Sequence, residues 1–301
     1  DRLKIENAVA SATMTATPEH VTLRDVQASA LGAKVTGQAD LARKAASADQ
    51  QFHFAGKVDG LELRQAAAIF TDRPLPWNGM LAGTVEADAV LGKPRTKGHV
   101  NVSIAPANDA APVDGHVEMT YDQEKGVLSF GESRVSTPGS NVIVAGALNQ
   151  SLTVRARTTS LDDVLTALAV TGDTAPKTLP LAFSQGGEAT LAGTVTGNFT
   201  NPLFHGEVAI ANASIEGRRF DRLSGDIAAS RASVEMRRMT IARGQTQITG
   251  DVTVAGSGND FMTGPMTAQL NVRNASLAEA ARELGIATDA QGMASATVHL
   301  S

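Results

Sequence analysis

An internal repeat is the feature that most constrains the fold of this chain. The pentapeptide LAGTV at residues 81–85 recurs unchanged at residues 191–195, and a degenerate copy, ASATV, stands at 294–298. Each full copy precedes a Pro-x-x-x-Gly-x-Val pattern, at 94–100 and again at 202–208. Solenoid, leucine-rich and propeller repeats have only ~20–50 residues. The 110-residue spacing of the LAGTV copies therefore predicts units of several strands each.

Two further markers recur in step with the pentapeptide. An octet of alternating strand character ends in Leu61, Leu161 and Leu277, and a paired-strand pattern occupies 23–41, 128–148 and 236–254. These markers divide the chain into a partial repeat at 1–76, repeats at 77–184 and 185–289, and the start of a further repeat at 290–301. We therefore expect the chain to be a piece of a longer protein.

Period-2 alternation predicts the strands. Val142 and Val144 share one face with Leu148, whereas Asn141 falls on the other face, and the same alternation runs through 99–104 and 190–195. One face of each strand is apolar and the other is mostly polar. This pattern predicts a mainly β protein built from an antiparallel sheet.

A short helix is predicted once in each repeat. Ser276 is a candidate N-cap with Glu279 three residues later, and Ser160 opens an equivalent segment. One apolar stripe on about ten residues suits a plug at a sheet end, whereas a membrane-surface helix would be longer and more basic. The predicted plug residues are Leu161, Val164, Leu165, Leu168, Leu277, Ala281 and Leu284.

Composition excludes several classes of partner. The net charge of −5 opposes a nucleic-acid partner, which requires a basic face. Aromatic residues are only 4% of the chain, whereas sugar and single-strand sites stack rings on aromatic platforms. The absence of cysteine excludes disulfides, thiolate metal sites and cysteine nucleophiles.

No pattern of catalytic chemistry stands out. The sequence contains neither a G-x-S-x-G elbow nor a glycine-rich phosphate-binding pattern. Asp162 and Asp163 fall in the first turn of a predicted helix, where carboxylates complement the helix dipole. The histidines are scattered without metal-ligand spacing; they are His20, His53, His99, His116, His205 and His299. We expect no enzymatic activity, no catalytic residue, no metal site and no cofactor.

The motifs in the second repeat resemble the TamB/AsmA family of translocation and assembly module and bridge-like lipid-transfer proteins. The resemblance rests on GTVTGNFTNPLFHGEV at 193–208, ANASIEG at 211–217 and LSGDI at 223–227. The first repeat departs from the last pattern, with VDGHV at 113–117. With its weaker copies, the resemblance covers almost the whole chain.

The resemblance implies an elongated, U-shaped sheet, called a β-taco, with an apolar inner groove. It implies a periplasmic segment of a protein anchored in the inner membrane of a diderm bacterium. Such proteins carry phospholipid between the inner and outer membranes or assist outer-membrane protein assembly. The implied partners are phospholipid acyl chains and, for parts of the parent outside this segment, an Omp85-type outer-membrane barrel.

The residues predicted to line the groove are apolar members of the alternating strands. They are Val35, Phe52, Phe54, Val85, Val100, Val102, Ile104, Val142, Val144, Leu148, Val154, Leu191, Val195, Val208, Ile210, Ile248, Val252, Val254, Leu270 and Val272. Alternation alone is equally compatible with a filled core, and hence with a structural or adhesin-type β-repeat scaffold that binds no ligand. The ~20-residue rungs or calcium nonapeptides of such adhesins are absent from the sequence. A carbohydrate-active β-helix enzyme would show carboxylates beside aromatic residues, but Trp77 and Tyr121 are the only Trp and Tyr.

Overall fold

The computed structural model of the chain divides into two compact units, residues 1–152 and 153–301. The structure describes residues 8–43, 49–68, 75–107, 111–171, 178–198, 201–256, 264–278 and 292–300; for 168–171 it describes the backbone alone. Strands predominate in both units, and the helices are few and short. The predicted mainly β, antiparallel fold is confirmed.

The first unit is an antiparallel meander. Its elements are β1 (Val9–Ala16), β2 (His20–Ala30), β3 (Ala33–Arg43), β4 (Gln50–Glu62), α1 (Leu63–Ala68), β5 (Trp77–Val90), β6 (Arg95–Pro106), β7 (Ala111–Pro112), β8 (Asp114–Asp122), β9 (Val127–Ser136) and β10 (Ser140–Ala147). Each strand pairs with the next along the chain, except that β6 pairs with β8 and the short β7 lies parallel to the start of β5. Strand β11 (Ser151–Thr158) contains the boundary between the units.

The second unit continues with the same kind of meander. Its elements are α2 (Leu161–Thr171), β12 (Leu181–Gly197), β13 (Pro202–Ile215), β14 (Arg218–Ala229), β15 (Ser233–Arg243), β16 (Thr246–Ala255), β17 (Met266–Ser276) and β18 (Met293–Leu300). Consecutive strands from β12 to β18 are antiparallel neighbours. None of the helices in the described ranges is long and apolar enough to cross a membrane.

Local sequence accounts for the tight turns. Leu31-Gly32 and Glu216-Gly217 each connect two strands as a two-residue turn with both φ angles positive, between 49° and 81°. Such turns match the twist of antiparallel strands and favour glycine at the second position. Thr17 and Ser230 begin three-residue connections, and each side-chain oxygen accepts the backbone N–H three residues ahead at 3.1 Å.

The succession of elements repeats, although one strand changes its alignment. The LAGTV copies lie in β5 and β12, and the degenerate copy lies in β18. Gly83 lies opposite Val102, eight residues after Pro94, whereas Gly193 lies opposite Gly206, four residues after Pro202. The Pro-x-x-x-Gly-x-Val patterns are therefore shifted by four residues relative to the LAGTV strands. In β12, residues 184–187 bulge out against the single residue Asn212, and this bulge accompanies the shift.

Buried apolar side chains are few in the described residues, and seven of these thirteen form two clusters. The first cluster contains Leu81, Val102, Ile104 and Val113, and α1 packs Leu63 and Ala66 against it. The second cluster, in the other unit, contains Ala213, Phe220 and Leu223. Most other apolar side chains of the described strands are only partly buried.

Candidate functional site

The strand register of the first unit defines one continuous apolar face. Residues directly opposite each other on antiparallel strands point to the same side of a sheet. One row of opposed residues crosses six strands without a polar side chain. It consists of Leu61, Leu81, Ile104, Gly115, Val135 and Val142. We call this side the apolar face of the first unit.

The second unit has an equivalent apolar face. One row of opposed residues crosses all seven strands from β12 to β18 and is again entirely apolar. It consists of Ala189, Ile210, Leu223, Ile241, Ile248, Val272 and Ala296. The next row on the polar side contains Thr190, Ala209, Ser224, Thr240, Thr249, Asn271 and Thr297. The apolar face is therefore a property of the register and not of one strand.

The register brings the predicted groove residues together on these faces. In the first unit they occupy β3, β4, β5, β6 and β10, with Leu148 in the turn after β10. In the second unit they occupy β12, β13, β16 and β17. Val154 lies on the half-buried side of β11. The placement on one side of the sheet agrees with the sequence, whereas the lining of a lipid groove stays a prediction.

The exposure of these residues is that of a single sheet layer. Of the twenty predicted residues, Val102, Ile104 and Leu148 are buried, Val142 is 37% exposed, and the others are partly buried. A filled core would bury nearly all of them, because interiors are close-packed. Helix α1 covers only the part of the first face around Leu81. Over the described residues, most of each apolar face therefore has no second layer.

A bulge lies beside a glycine at the same place in each repeat. Two residues of β2, β9 and β15 oppose one residue of β3, β10 and β16, and the adjoining pairs are Val26–Gly37, Phe130–Gly146 and Met239–Gly250. Asp25 and Arg238 within the bulges have φ near +50°. Bulges and glycines bend a strand and increase its local twist. Each repeat thus carries a site of local bending in the same strand pair.

The rings of two phenylalanines lie over glycines of the apolar faces. A Cβ built on Gly56 would come within 2.6 Å of the ring of Phe54, and Cβ atoms on Gly193 and Gly206 would come within 2.6 and 2.8 Å of the ring of Phe204. The rings therefore occupy the space that side chains would take at these glycines. The sequence predicted Phe54 as a groove residue but missed Phe204, although Phe204 alternates with the predicted Val208 and Ile210. In the sheet Phe204 lies opposite Val195.

The polar side of the first unit carries a row of alternating acidic and basic side chains across five strands. Directly opposed residues form this row, which we call the charge row: Asp40, His53, Asp88, Lys97 and Asp122. Hydrogen bonds from Thr22 (2.8 Å) and His20 (3.2 Å) lower the pKa of Asp40. The backbone N–H of Lys125 lowers the pKa of Asp122. The row cannot be recognised in the sequence, because its members are up to 82 residues apart.

An arginine anchors the bulge of β15. The backbone N–H of Arg238 donates to Asp251 Oδ1 at 2.9 Å, and its Nε donates to Asp226 Oδ2 at 2.5 Å. Arg238 therefore joins three neighbouring strands on the polar side of the second unit. These contacts stabilise the positive φ that the bulge requires.

The predicted helices differ in how they meet the sheet. Ser160 Oγ accepts the backbone N–H of Asp163 at 3.3 Å, so the predicted N-cap of α2 is confirmed. Leu161, Val164 and Leu165 lie on α2 and are partly buried. Leu277 directly follows β17 and is 39% exposed. The side chain of Leu168 and the whole of Ala281 and Leu284 lie outside the described residues.

The histidines do not form a metal site in the part of the chain that is described, where no group of three or more metal-ligating side chains occurs. His20, His53 and His99 instead each contact one carboxylate, at 3.2, 2.8 and 3.3 Å.

No protein-family model, curated protein or solved structure matches this chain.

Proposed function

We propose that this chain is a periplasmic segment of an envelope-spanning protein whose apolar sheet faces shelter phospholipid acyl chains. The observation that carries the proposal is the continuous, largely uncovered apolar face in each unit, crossing six strands in one and seven in the other. The motif resemblance at 193–227 supports the same class.

The energetics favour an apolar occupant. A sheet with one hydrophobic face must bury that face against another layer. An acyl chain laid on the face would contribute about 0.8 kcal/mol for each methylene removed from water. Val, Ile, Leu, Ala and Gly side chains dominate the rows, and none of them presents a polar atom to the chain. The occupant therefore serves as the second layer.

The repeated bulge–glycine sites support a curled sheet. Bending at Gly37, Gly146 and Gly250 would turn a flat face into a groove along the direction of strand stacking. Such a groove would lead acyl chains from repeat to repeat while head groups remain in water. A sheltered route of this kind suits lipid transfer between two membranes, and the same surface would suit assistance to outer-membrane protein assembly.

The test is native mass spectrometry of the purified protein with lipid extraction and a phosphorus assay. The expected result is co-purifying phospholipid that is lost on Val252→Asp or Val195→Asp, because a carboxylate on the apolar face repels acyl chains. The matched control is Thr253→Asp, since Thr253 lies next to Val252 on the polar side, opposite Glu235 and Thr267. Circular dichroism confirms that each variant is folded.

A folded protein that carries no lipid and takes none from vesicles would contradict the proposal. The same result would favour a structural β-repeat scaffold. If the wild-type protein carries lipid and Val252→Asp and Thr253→Asp lose it equally, the lipid does not bind on the apolar face.

A further inference from the structure

The strands of the second unit place several chain reversals at one end of the sheet. At this end β13, β15 and β17 finish, and β14, β16 and β18 begin. Three opposed pairs mark it: Ile215–Arg218, Arg243–Thr246 and Ser276–Met293. We call residues 211–222, 242–247 and 273–277, together with Met293, the basic end of the second unit. The connection at 230–232 lies at the opposite end of the same strands.

The basic end carries an excess of cationic side chains. Its two carboxylates belong to Glu216 and Asp221, and Asp221 Oδ2 already accepts the backbone N–H of Gly244 at 2.7 Å. Against these stand five exposed arginines, which are Arg218, Arg219, Arg222, Arg243 and Arg273. The register therefore gathers positive charge from β14, β15 and β17 into one region.

Three of these arginines are available to a partner on the polar side. Arg222 and Arg273 belong to one row of opposed residues, with two uncharged residues between them. Arg219 lies nearer the turn and alternates with the buried Phe220, so it also points to the polar side. None of the three forms an ion pair with the residues that the structure describes.

Exposed apolar side chains accompany the arginines. Ile215, Leu277 and Met293 are 37%, 39% and 54% exposed. Protein surfaces that bind bilayers combine apolar side chains, which enter the head-group boundary, with basic side chains that attract anionic lipids. A guanidinium group also binds phosphate oxygens through two parallel hydrogen bonds, which an ammonium group does not.

We propose that the basic end of the second unit docks on the surface of an anionic bilayer. The net charge of −5 of the whole chain does not oppose this contact. Exposed charges farther away than about 8–10 Å are largely screened at physiological salt, so the local arginines decide the interaction. The contact uses strand ends and the polar side, so it stands or falls separately from acyl-chain binding on the apolar face.

The experiment is flotation of the purified protein with two kinds of vesicle. One kind is phosphatidylcholine alone, and the other is equal parts of phosphatidylcholine and phosphatidylglycerol. We expect the protein to bind the anionic vesicles much more tightly than the neutral ones. The preference should disappear at 1 M salt, where the screening length falls to about 3 Å.

Matched variants locate the contact. Arg222→Gln and Arg273→Gln should each weaken partitioning about five-fold, since a basic residue near an anionic membrane contributes about that factor. Arg231→Gln is the control, because it removes an exposed arginine at the opposite end and should bind as wild type does. Met293→Ser should also weaken binding, whereas Met266→Ser, 47% exposed at the opposite end, should not. Circular dichroism confirms that each variant is folded.

Several results would overturn the proposal. They are a folded wild-type protein that does not bind anionic vesicles, equal binding to both kinds of vesicle, and equal effects of Arg222→Gln and Arg231→Gln. Release of the protein by inorganic phosphate at constant ionic strength would instead assign the arginines to a discrete phosphate site.

Val252→Asp separates this contact from the proposed function. The variant should dock on anionic vesicles as wild type does, even when it has lost co-purifying lipid. Loss of docking in Val252→Asp together with full docking in Arg222→Gln would assign the vesicle contact to the apolar face and would exclude the basic end.

Discussion

His53 and Asp88 lie directly opposite each other on β4 and β5, with His53 Nδ1 2.8 Å from Asp88 Oδ1. Asp40 flanks the histidine on the other side, and Lys97 flanks the aspartate. An acidic side chain therefore faces a basic one at each step of the charge row. Cross-strand pairs of this kind favour one register, because a slip by one residue would move the whole row to the apolar face.

Reversing the central charge of the row should destabilise the first unit. Asp88→Lys would place a lysine between His53 and Lys97, and like charges directly opposite each other cost up to about 1 kcal/mol. The measurement is urea unfolding followed by the fluorescence of Trp77, which lies in the first unit. The stability lost in Asp88→Lys should be smaller at 1 M salt, where the screening length falls to about 3 Å.

Glu86→Lys is the control for that change. Glu86 lies on the same strand and the same side, but opposite Ala55 and His99. At low salt, Glu86→Lys should lower the free energy of unfolding less than Asp88→Lys does. An equal cost in both variants, or no dependence on salt, would show that the row does not act through charge.

Asp40 should make the first unit sensitive to acid. Its pKa in the folded protein is lowered, first by the hydrogen bond from Thr22 and then by that from His20. A carboxyl with a lowered folded pKa stabilises the protein above its unfolded pKa, and that contribution disappears as the pH falls through the folded pKa. Thr22→Val removes the largest cause while keeping the shape of the side chain.

The prediction is therefore a pH-dependent difference between Thr22→Val and wild type. At pH 7, Thr22→Val should unfold at a lower urea concentration than wild type. The unfolding midpoints of the two proteins should converge as the pH falls below about 4, the ordinary pKa of an aspartate. Thr36→Val, on the polar side of β3, is the control. A difference that persists unchanged at pH 2.5 would show that Thr22 acts through packing.

Leu81 and Leu191 begin the two copies of LAGTV and should respond differently to truncation. Leu81 is 8% exposed beneath α1, whereas Leu191 is only partly buried on the face of the second unit. Leu→Ala at a buried site costs about 2–5 kcal/mol. We expect Leu81→Ala to fall in that range and Leu191→Ala to fall below it.

The measurement is urea unfolding of each variant, with Trp77 fluorescence for the first unit and circular dichroism for the whole chain. Leu→Met at each site is the control, because volume-conserving substitutions in a core usually lower the free energy of unfolding by less than about 1.5 kcal/mol. Equal costs at the two sites would mean that Leu191 is covered as well as Leu81.

Sequence periodicity predicted the strands and the apolar side because both depend on near neighbours. Val100, Val102 and Ile104 alternate within one strand, and that alternation is local information. The N-cap of α2 at Ser160 is local in the same way. The predicted repeat was visible because LAGTV is copied without change.

The features that the sequence did not predict depend on strands that are distant in the chain. After LAGTV, β5 continues for five residues to Val90, whereas β12 continues for only two to Gly197. The four-residue shift of β13 relative to β12 reflects this earlier turn, which motif matching alone does not detect. The charge row combines residues from five strands.

Gly83 and Gly98 provide the last prediction, because the two glycines lie on adjacent strands with very different surroundings. A Cβ on Gly83 would lie 2.1 Å from the carbonyl oxygen of Asn101 and 2.6 Å from the Cα of Val102, whereas the nearest atom to a Cβ on Gly98 is the oxygen of Glu86 at 3.9 Å. Backbone atoms cannot rotate away as a side chain can, so Gly83→Ala must separate β5 from β6. We expect a loss of about 1–3 kcal/mol for Gly83→Ala. Gly98→Ala should be neutral or stabilising by up to about 1 kcal/mol, because alanine restricts the unfolded chain. Urea unfolding followed by Trp77 fluorescence measures both, and equal losses would contradict the close approach of β5 and β6 at Gly83.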